Sequence, residues 1–269
     1  MKRTAQVGIA LVAVGAWVAC SSPAPEQPAP AGFDLSKAEV VDLTHSFDAD
    51  TIYWPTGGPF SHEQSAWGVN EKGFFYSSFD YASAEHLGTH ADAPIHFGEG
   101  KRAVDEVPIS QWVGRAAVLD VAAACASNPD YLINAADIAA YEGKHGPIRA
   151  GDIVLARTDW SRFWPDTKKY MGDDTPGATD NLHFPGFGED AARALAERGV
   201  HAVGIDTASI DHGPSTEFLS HRALAAAQIP LLENLTGLDQ VPAEGAWIIA
   251  LPMKIGGGSG APLRIVALK

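Results

Sequence analysis

The sequence predicts an α/β fold in which a mixed β-sheet carries flanking helices, and three observations lead there. Residues 189–198 form an Ala-rich amphipathic pattern that stops at Gly199 and runs directly into the apolar stretch 200–205. Residues 221–232 repeat the arrangement, a helical pattern followed by Ile229-Pro230-Leu231-Leu232. Several runs in the earlier half of the chain read only as strands. Helices alternating with strands, beside strand-only segments, point to a mixed sheet.

Taken in order, the chain begins with an address. Lys2 and Arg3 precede an apolar stretch over residues 7–19, the length of a signal h-region and short of the ~20 apolar residues that cross a bilayer. The run Ala19-Cys20-Ser21-Ser22 resembles a bacterial lipoprotein processing site, with Trp17 standing where Leu is usual. Cys20 is then the acylated residue. The expectation is an exported protein on the periplasmic side of a bacterial membrane, held there by its lipid alone. Residues 1–20 are thus the leader. Residues 21–33, rich in Pro and Ala without apolar periodicity, are a linker. Residues 34–269 read as one continuous domain with no internal repeat and no second linker.

Within that domain, residues 39–43, 116–121 and 153–157 are strand-like, the last entered through the turn pair Gly151-Asp152. Helical patterns cover residues 135–141, 189–198 and 219–227. Cys125, in the small-residue run 122–126, reads as a half-buried spacer. With Cys20 acylated it has no partner, so stability rests on the core and not on a disulfide. Asp206 and Asp211 flank Thr207-Ala208-Ser209 and read as capping or turn residues. The run Gly256-Gly257-Gly258-Ser259-Gly260 lacks the Lys and the helix of a phosphate loop and reads as a turn before the last strand, at the edge of a pocket. Composition agrees with a packed domain: of 269 residues 46% are hydrophobic and 19% charged. Acids outnumber bases 33 to 19, and loss of Lys2 and Arg3 with the leader widens this to 33 to 17. Such a surface repels phosphate backbones, which excludes nucleic acid as a partner.

Residues 86–96 carry the chemistry: His86-Leu87-Gly88-Thr89-His90-Ala91-Asp92-Ala93-Pro94-Ile95-His96. Three imidazoles and a carboxylate fall close together in a chain with ten histidines. Gly88 and Pro94 argue against a helix. A straight strand would hold the α-carbons of His86 and His90 ~13 Å apart, too far for one ion at ~2.1 Å. The chain must kink between them, and Gly88 permits it. Asp92 then supplies a hard oxygen that terminates one metal or bridges two. His96, beyond Pro94, is expected to stand off from the cluster and move protons. Nitrogen and carboxylate ligands suit zinc, manganese or iron(II).

This motif resembles that of the cyclase-family hydrolases, which include bacterial kynurenine formamidases and isatin hydrolases. Val41-Asp42-Leu43-Thr44-His45, Tyr53-Trp54-Pro55, Gly204-Ile205-Asp206-Thr207, Glu233-Asn234-Leu235 and Ile249-Ala250-Leu251-Pro252 extend the resemblance from about Val40 to the end. It implies a swivelling β/β/α-type single domain and hydrolysis of an amide bond with a divalent metal, zinc or manganese, one or two ions per subunit. By the resemblance His86, His90 and Asp92 are metal ligands. His221 and Glu233, twelve apart ahead of Asn234-Leu235, correspond to the family's further pair. His96 is the general base and acid, and Trp54 lies against a flat substrate. A homo-oligomer, dimer or tetramer, is expected.

The expected activity is hydrolysis of an aryl or cyclic amide outside the cytoplasm. The aromatic-rich segment from Trp160 to His183 is expected to wall the pocket for a bicyclic ring. Two alternatives stay open at this point: an arylformamidase acting on N-formylkynurenine, and a non-catalytic lipoprotein that merely holds metal.

Overall fold

The computed structural model describes residues 37–269, so the leader, the linker and Cys20 lie outside the described residues. Strands β1 (Val40–Asp42), β2 (Ser61–Val69), β3 (Phe75–Ala82), β4 (His90–Asp92) and β5 (Val113–Asp120) come first. Helix α1 (Ala122–Ser127), β6 (Leu132–Ile133), α2 (Ala135–His145), β7 (Ile153–Arg157), α3 (Thr167–Met171) and β8 (Gly186–Phe187) follow. The chain ends with α4 (Glu189–Arg198), β9 (Ala202–Ile205), α5 (Leu219–Ala226), β10 (Leu231–Glu233), β11 (Trp247–Pro252) and β12 (Gly260–Leu268).

The main sheet runs β1-β12-β11-β5-β7-β9-β10-β4, and β12 also pairs with β4. That last pairing closes seven strands into a barrel, with β1 added on the outside of the ring. Strands β5, β7, β9 and β10 are mutually parallel, and the remaining pairs are antiparallel. The mixed α/β domain expected from the sequence is therefore present. Its closure depends on β12 being long enough to bond β11 with one half and β4 with the other.

Period-two alternation divides the strands between two cores. Ile153 and Leu155 of β7 join Ala116, Val118, Ile248 and Ile265 inside the ring. Val154 and Ala156 point the other way and pack with Ile138 of α2, Leu195 of α4 and Leu224 of α5. Burial on both faces explains why residues 153–157 read as an unbroken apolar run. Helix α4 matches its expected bounds because its signals are strong: Glu189 and Asp190 in the first turn, Arg198 in the last, and Gly199 at φ +67° as its stop. Asn134 and Asp137 form a reciprocal cap that fixes the start of α2.

Two expectations need correction. Cys125 is fully buried, not half-buried, because it sits on the inward face of α1 against the outer core, and burial pushes its thiol up to about 12. The aromatic segment after β7 does not line the cavity that His86 and His90 border. Trp160, Tyr170, Met171, Leu182 and Phe184 form a third core of their own. The polar atoms decide this: the Trp160 indole donates to the Tyr170 carbonyl at 2.8 Å, and the Tyr170 hydroxyl donates to Asn234 Oδ1 at 2.9 Å.

Asp206, just past β9, binds the end of β7 to this assembly, accepting from the Thr158 backbone N–H at 2.8 Å and its hydroxyl at 2.6 Å. Burial raises its pKa to about 6, and those hydrogen bonds only partly oppose the rise. A carboxyl raised in the folded state gives stability that is full below its unfolded value and is lost as pH climbs through 6. Asp206→Asn keeps an accepting oxygen and cannot ionise. Relative to wild type it is expected to gain on the order of 2 kcal/mol between pH 4.5 and pH 8, measured by urea unfolding. An equal difference between the two proteins at both pH values would show that Asp206 does not titrate in this way.

Candidate metal centre

The kink expected between His86 and His90 is at Gly88, whose φ is +59°. A side chain there would meet Phe47 and Thr51 at 2.9 Å, so glycine is required by both conformation and space. The kink turns the chain into β4, where His90, Ala91 and Asp92 are all buried. β4 lies between β10 and β12, and its register sets Glu233 of β10 directly opposite His90. Cross-strand partners project on one face, which brings the two side chains together. His221 arrives from the first turn of α5, and His96 from the short 3₁₀ turn Pro94–His96.

These elements bring all the expected ligands to one place. His90 Nε2 stands 3.2 Å from Asp92 Oδ1 and 3.4 Å from Glu233 Oε2. His221 Nε2 stands 3.2 Å from Asp92 Oδ2 and 3.3 Å from Glu233 Oε1. Donors ~2.1 Å from a tetrahedral ion are themselves ~3.4 Å apart, so these separations fit the edges of a coordination shell. His86 Nδ1 lies 2.6 Å from Asp92 Oδ1, a hydrogen-bonding distance.

The outward nitrogen of each imidazole has an acceptor. His90 Nδ1 donates to the Gly88 carbonyl at 2.9 Å and His221 Nδ1 to Asp211 Oδ2 at 2.6 Å. His86 Nε2 faces Ser259 Oγ at 2.9 Å, and the Ser259 hydroxyl donates to Glu85 Oε2 at 2.6 Å, which leaves its oxygen to accept from His86. In that pattern Nδ1 of His86 and Nε2 of His90 and His221 all face inward, donating to Asp92 and Glu233 while protonated and offering lone pairs to a metal that displaces those protons. Asp211 fulfils the expected capping role, accepting from the backbone N–H groups of Ser220 and His221, and orients the imidazole as well. Ser259 shows that the glycine-rich turn does reach the site.

Charge leads to the same conclusion. Burial disfavours ionised Asp92, but the surrounding imidazoles hold its carboxyl well below the usual carboxylate range. Burial and the nearby Asp92 charge oppose ionisation of Glu233, yet hydrogen bonds from His221 and His90 keep it low too. Burial would lower His90, and Asp92 and Glu233 instead raise it to about 10. Two buried carboxylates thus draw positive charge into the site, and with three imidazoles they form a nitrogen–oxygen donor set suited to a divalent ion.

His96 does not stand off from this cluster. Its ring stacks on His86 at 3.8 Å, and His86, Asp92 and His96 offer atoms within 4.8 Å of one another, as do His90, Asp92 and Glu233. Pro94 starts a tight turn that folds His96 back over the motif. Desolvation pushes its pKa down to about 4 against the opposing Asp92 charge, with His86 and His221 adding to the fall, so that it is neutral. Above the donors opens a cavity of about 330 Å³, walled by Ile52, Trp54, Phe97, Ala208 and Phe218. Trp54 therefore lines the pocket. Phe97 and Phe218 were not singled out from the sequence, although Phe97 directly follows the motif.

Residues 41–212 match the model of a family described as putative cyclase. The isatin hydrolase of Roseibium aggregatum is 35% identical over 68% of this chain and 72% of its own length. The kynurenine formamidase of Salinibacter ruber is 33% identical over 84% of this chain and 96% of its own. An isatin hydrolase bound to the product analogue thioisatinate superposes with a TM-score of 0.80 at 29% identity, covering 87% of this chain and 93% of that one. Isatin hydrolase A from Ralstonia solanacearum gives 0.77 at 34% identity, covering 87% and 92%.

Removal of the Ser259 hydroxyl leaves the His86 ring free to turn or change tautomer. Ser259→Ala is expected to weaken binding of a divalent ion ~10- to 100-fold, read by competition with a chromophoric chelator. An unchanged affinity would mean that Ser259 does not position His86.

Proposed function

The chain belongs to the putative cyclase family and is a metal-dependent amidohydrolase, and we propose that its substrates are uncharged aryl or cyclic amides of isatin's kind. The observation that carries this reading is the set of 3.2–3.4 Å contacts among His90, His221, Asp92 and Glu233 at the floor of an aromatic pocket. Among the described residues, no Lys or Arg lines that pocket. N-Formylkynurenine, which carries both an ammonium and a carboxylate, would find no Lys or Arg side chain for its acid group. A neutral bicyclic ring needs none, and Trp54 and Phe218, 6.4 Å apart, offer it apolar walls.

His86, His90, Asp92, His221 and Glu233 would hold the ion, zinc or manganese, one or two per subunit. When bound, it supplies Lewis acidity toward water and toward the substrate carbonyl. His96 takes the proton from the attacking water as its oxygen bonds to the carbonyl carbon. The C–N bond then breaks, and His96 returns the proton to the departing nitrogen. Asp211, Ser259 and the Gly88 carbonyl keep the three imidazoles turned inward throughout.

One observation favours the arylformamidase alternative: the formamidases align over 84–86% of this chain, against 68% for the isatin hydrolase relative. The non-catalytic alternative is set aside, since the relatives are enzymes. Export through residues 1–20 with acylation of Cys20 stays part of the proposal on sequence grounds. Fatty-acid labelling that persists in Cys20→Ala would sink it.

His96→Ala is expected to retain its metal while losing at least ~100-fold in turnover, whereas His90→Ala loses metal and activity together. Equal metal loss in both variants, measured by elemental analysis, would make His96 a ligand. Isatin is expected to exceed N-formylkynurenine in kcat/KM. Turnover of N-formylkynurenine alone would replace the cyclic amide with the formamide as substrate.

A further inference from the structure

Asn234 directly follows Glu233 at the end of β10, and its backbone is left-handed, with φ +54°. Asparagine visits that conformation more readily than most side chains do. The residue is buried, and each of its four polar groups has a partner. Its N–H donates to the Thr207 carbonyl at 2.9 Å, and its carbonyl accepts from the Thr89 hydroxyl at 2.7 Å. Nδ2 donates to the Gly88 carbonyl at 2.7 Å, and Oδ1 accepts from the Tyr170 hydroxyl at 2.9 Å. The neighbours dictate which way the amide faces, since a carbonyl on one side needs a donor and a hydroxyl on the other offers one. The Gly88 carbonyl is at the same time the acceptor of His90 Nδ1, at 2.9 Å.

We propose that Tyr170 and Asn234 are positioning residues for the metal centre, acting in series through the Gly88 carbonyl on the His90 imidazole. This rests on the metal-centre reading above and adds what keeps that centre in place. Tyr170, Asn234, Gly88 and His90 are all buried, where a hydrogen-bonded chain is stiff and an unpaired member is costly. Without the Asn234 amide, the Gly88 peptide is free to rotate within its left-handed turn, and His90 Nδ1 loses a fixed acceptor. Orientation of a ligating imidazole through its outer nitrogen is a strong lever on ion affinity. Asn234 also fastens the end of β10, and so Glu233, to the turn that carries His90. The Tyr170 hydroxyl is held from behind, lying 3.2 Å from the Asp206 carbonyl as its second acceptor. The third core reaches the same turn by another path. Trp164 meets Tyr170 edge-on at 5.4 Å and stacks on His45 at 4.1 Å, and the His45 N–H donates to Thr89 Oγ1 at 2.9 Å. The aromatic segment after β7 thus serves the site by bracing the Gly88 turn.

The test is a double-mutant cycle on zinc affinity, read by competition with a chromophoric chelator, beside urea unfolding of the metal-free proteins. Tyr170→Phe keeps the buried ring and removes only the hydroxyl. Asn234→Gly keeps the left-handed backbone and removes the amide. Each is expected to weaken zinc binding ~10- to 100-fold. The double variant is expected to bind within ~2-fold of Asn234→Gly alone, because residues in series lose the same interaction once. Met171→Ala, in the same third core, is the control for a merely structural role. It is expected to lower the urea midpoint at least as far as Tyr170→Phe does, with zinc affinity within ~2-fold of wild type. If Asn234→Gly fails to fold, Tyr170→Phe against Met171→Ala carries the test. Unchanged affinity in Tyr170→Phe, additive losses in the double variant, or an equal loss in Met171→Ala would each overturn the proposal and leave the metal centre standing. A wild type that binds neither zinc nor manganese would overturn the metal-centre reading, and this proposal with it.

Discussion

The left-handed turn at Gly88 is the constraint on which the site depends. It is fastened on every side. Its N–H donates to the Ile52 carbonyl at 3.0 Å, and its carbonyl accepts from His90 Nδ1 at 2.9 Å and from the Asn234 amide at 2.7 Å. Next to it, the Thr89 hydroxyl donates to the Asn234 carbonyl at 2.7 Å and accepts from the His45 N–H at 2.9 Å. These bonds fix the direction in which β4 departs, and with it the positions of His90 and Asp92. The same turn leaves His86 on the near side, where Asp92 can reach it.

β4 has two duties that cannot be separated. By pairing with β10 on one edge and β12 on the other it closes the barrel, and those pairings set the geometry of the donors. Glu233 meets His90 because they are register partners. Gly260 is needed opposite Asp92 because a side chain there would lie 2.6 Å from the His86 ring and 2.7 Å from the Ala91 carbonyl. Loss of ring closure would therefore be loss of the site. An ion bound across β4, β10 and α5 would in return tie together three segments far apart in the chain, stabilising the folded state by mass action.

The sequence made the local features legible and left the long-range ones hidden. Helix α4 and strand β7 were readable because their signals are short-range: caps, an apolar stripe and an unbroken apolar run. The kink at Gly88 followed from the reach of a chain between two ligands. Ring closure was not readable, since it depends on β12 pairing with a strand about 170 residues earlier. The hairpin of β2 and β3 escaped notice because the bulge at Ser65 breaks its alternation and because its aromatics face outward. The segment around Trp160 and Tyr170 misled for the opposite reason, its indole and hydroxyl finding buried acceptors. His96 was placed too far away because Pro94 was taken to carry the chain off, when it folds the chain back.

Anomalous diffraction from crystals grown with zinc or manganese tests the central claim most directly. The account predicts a peak bounded by His90, Asp92, His221 and Glu233, with His86 beside it and the backbone at Gly88 unchanged. A peak elsewhere, or none at an ion concentration that restores activity, would contradict it.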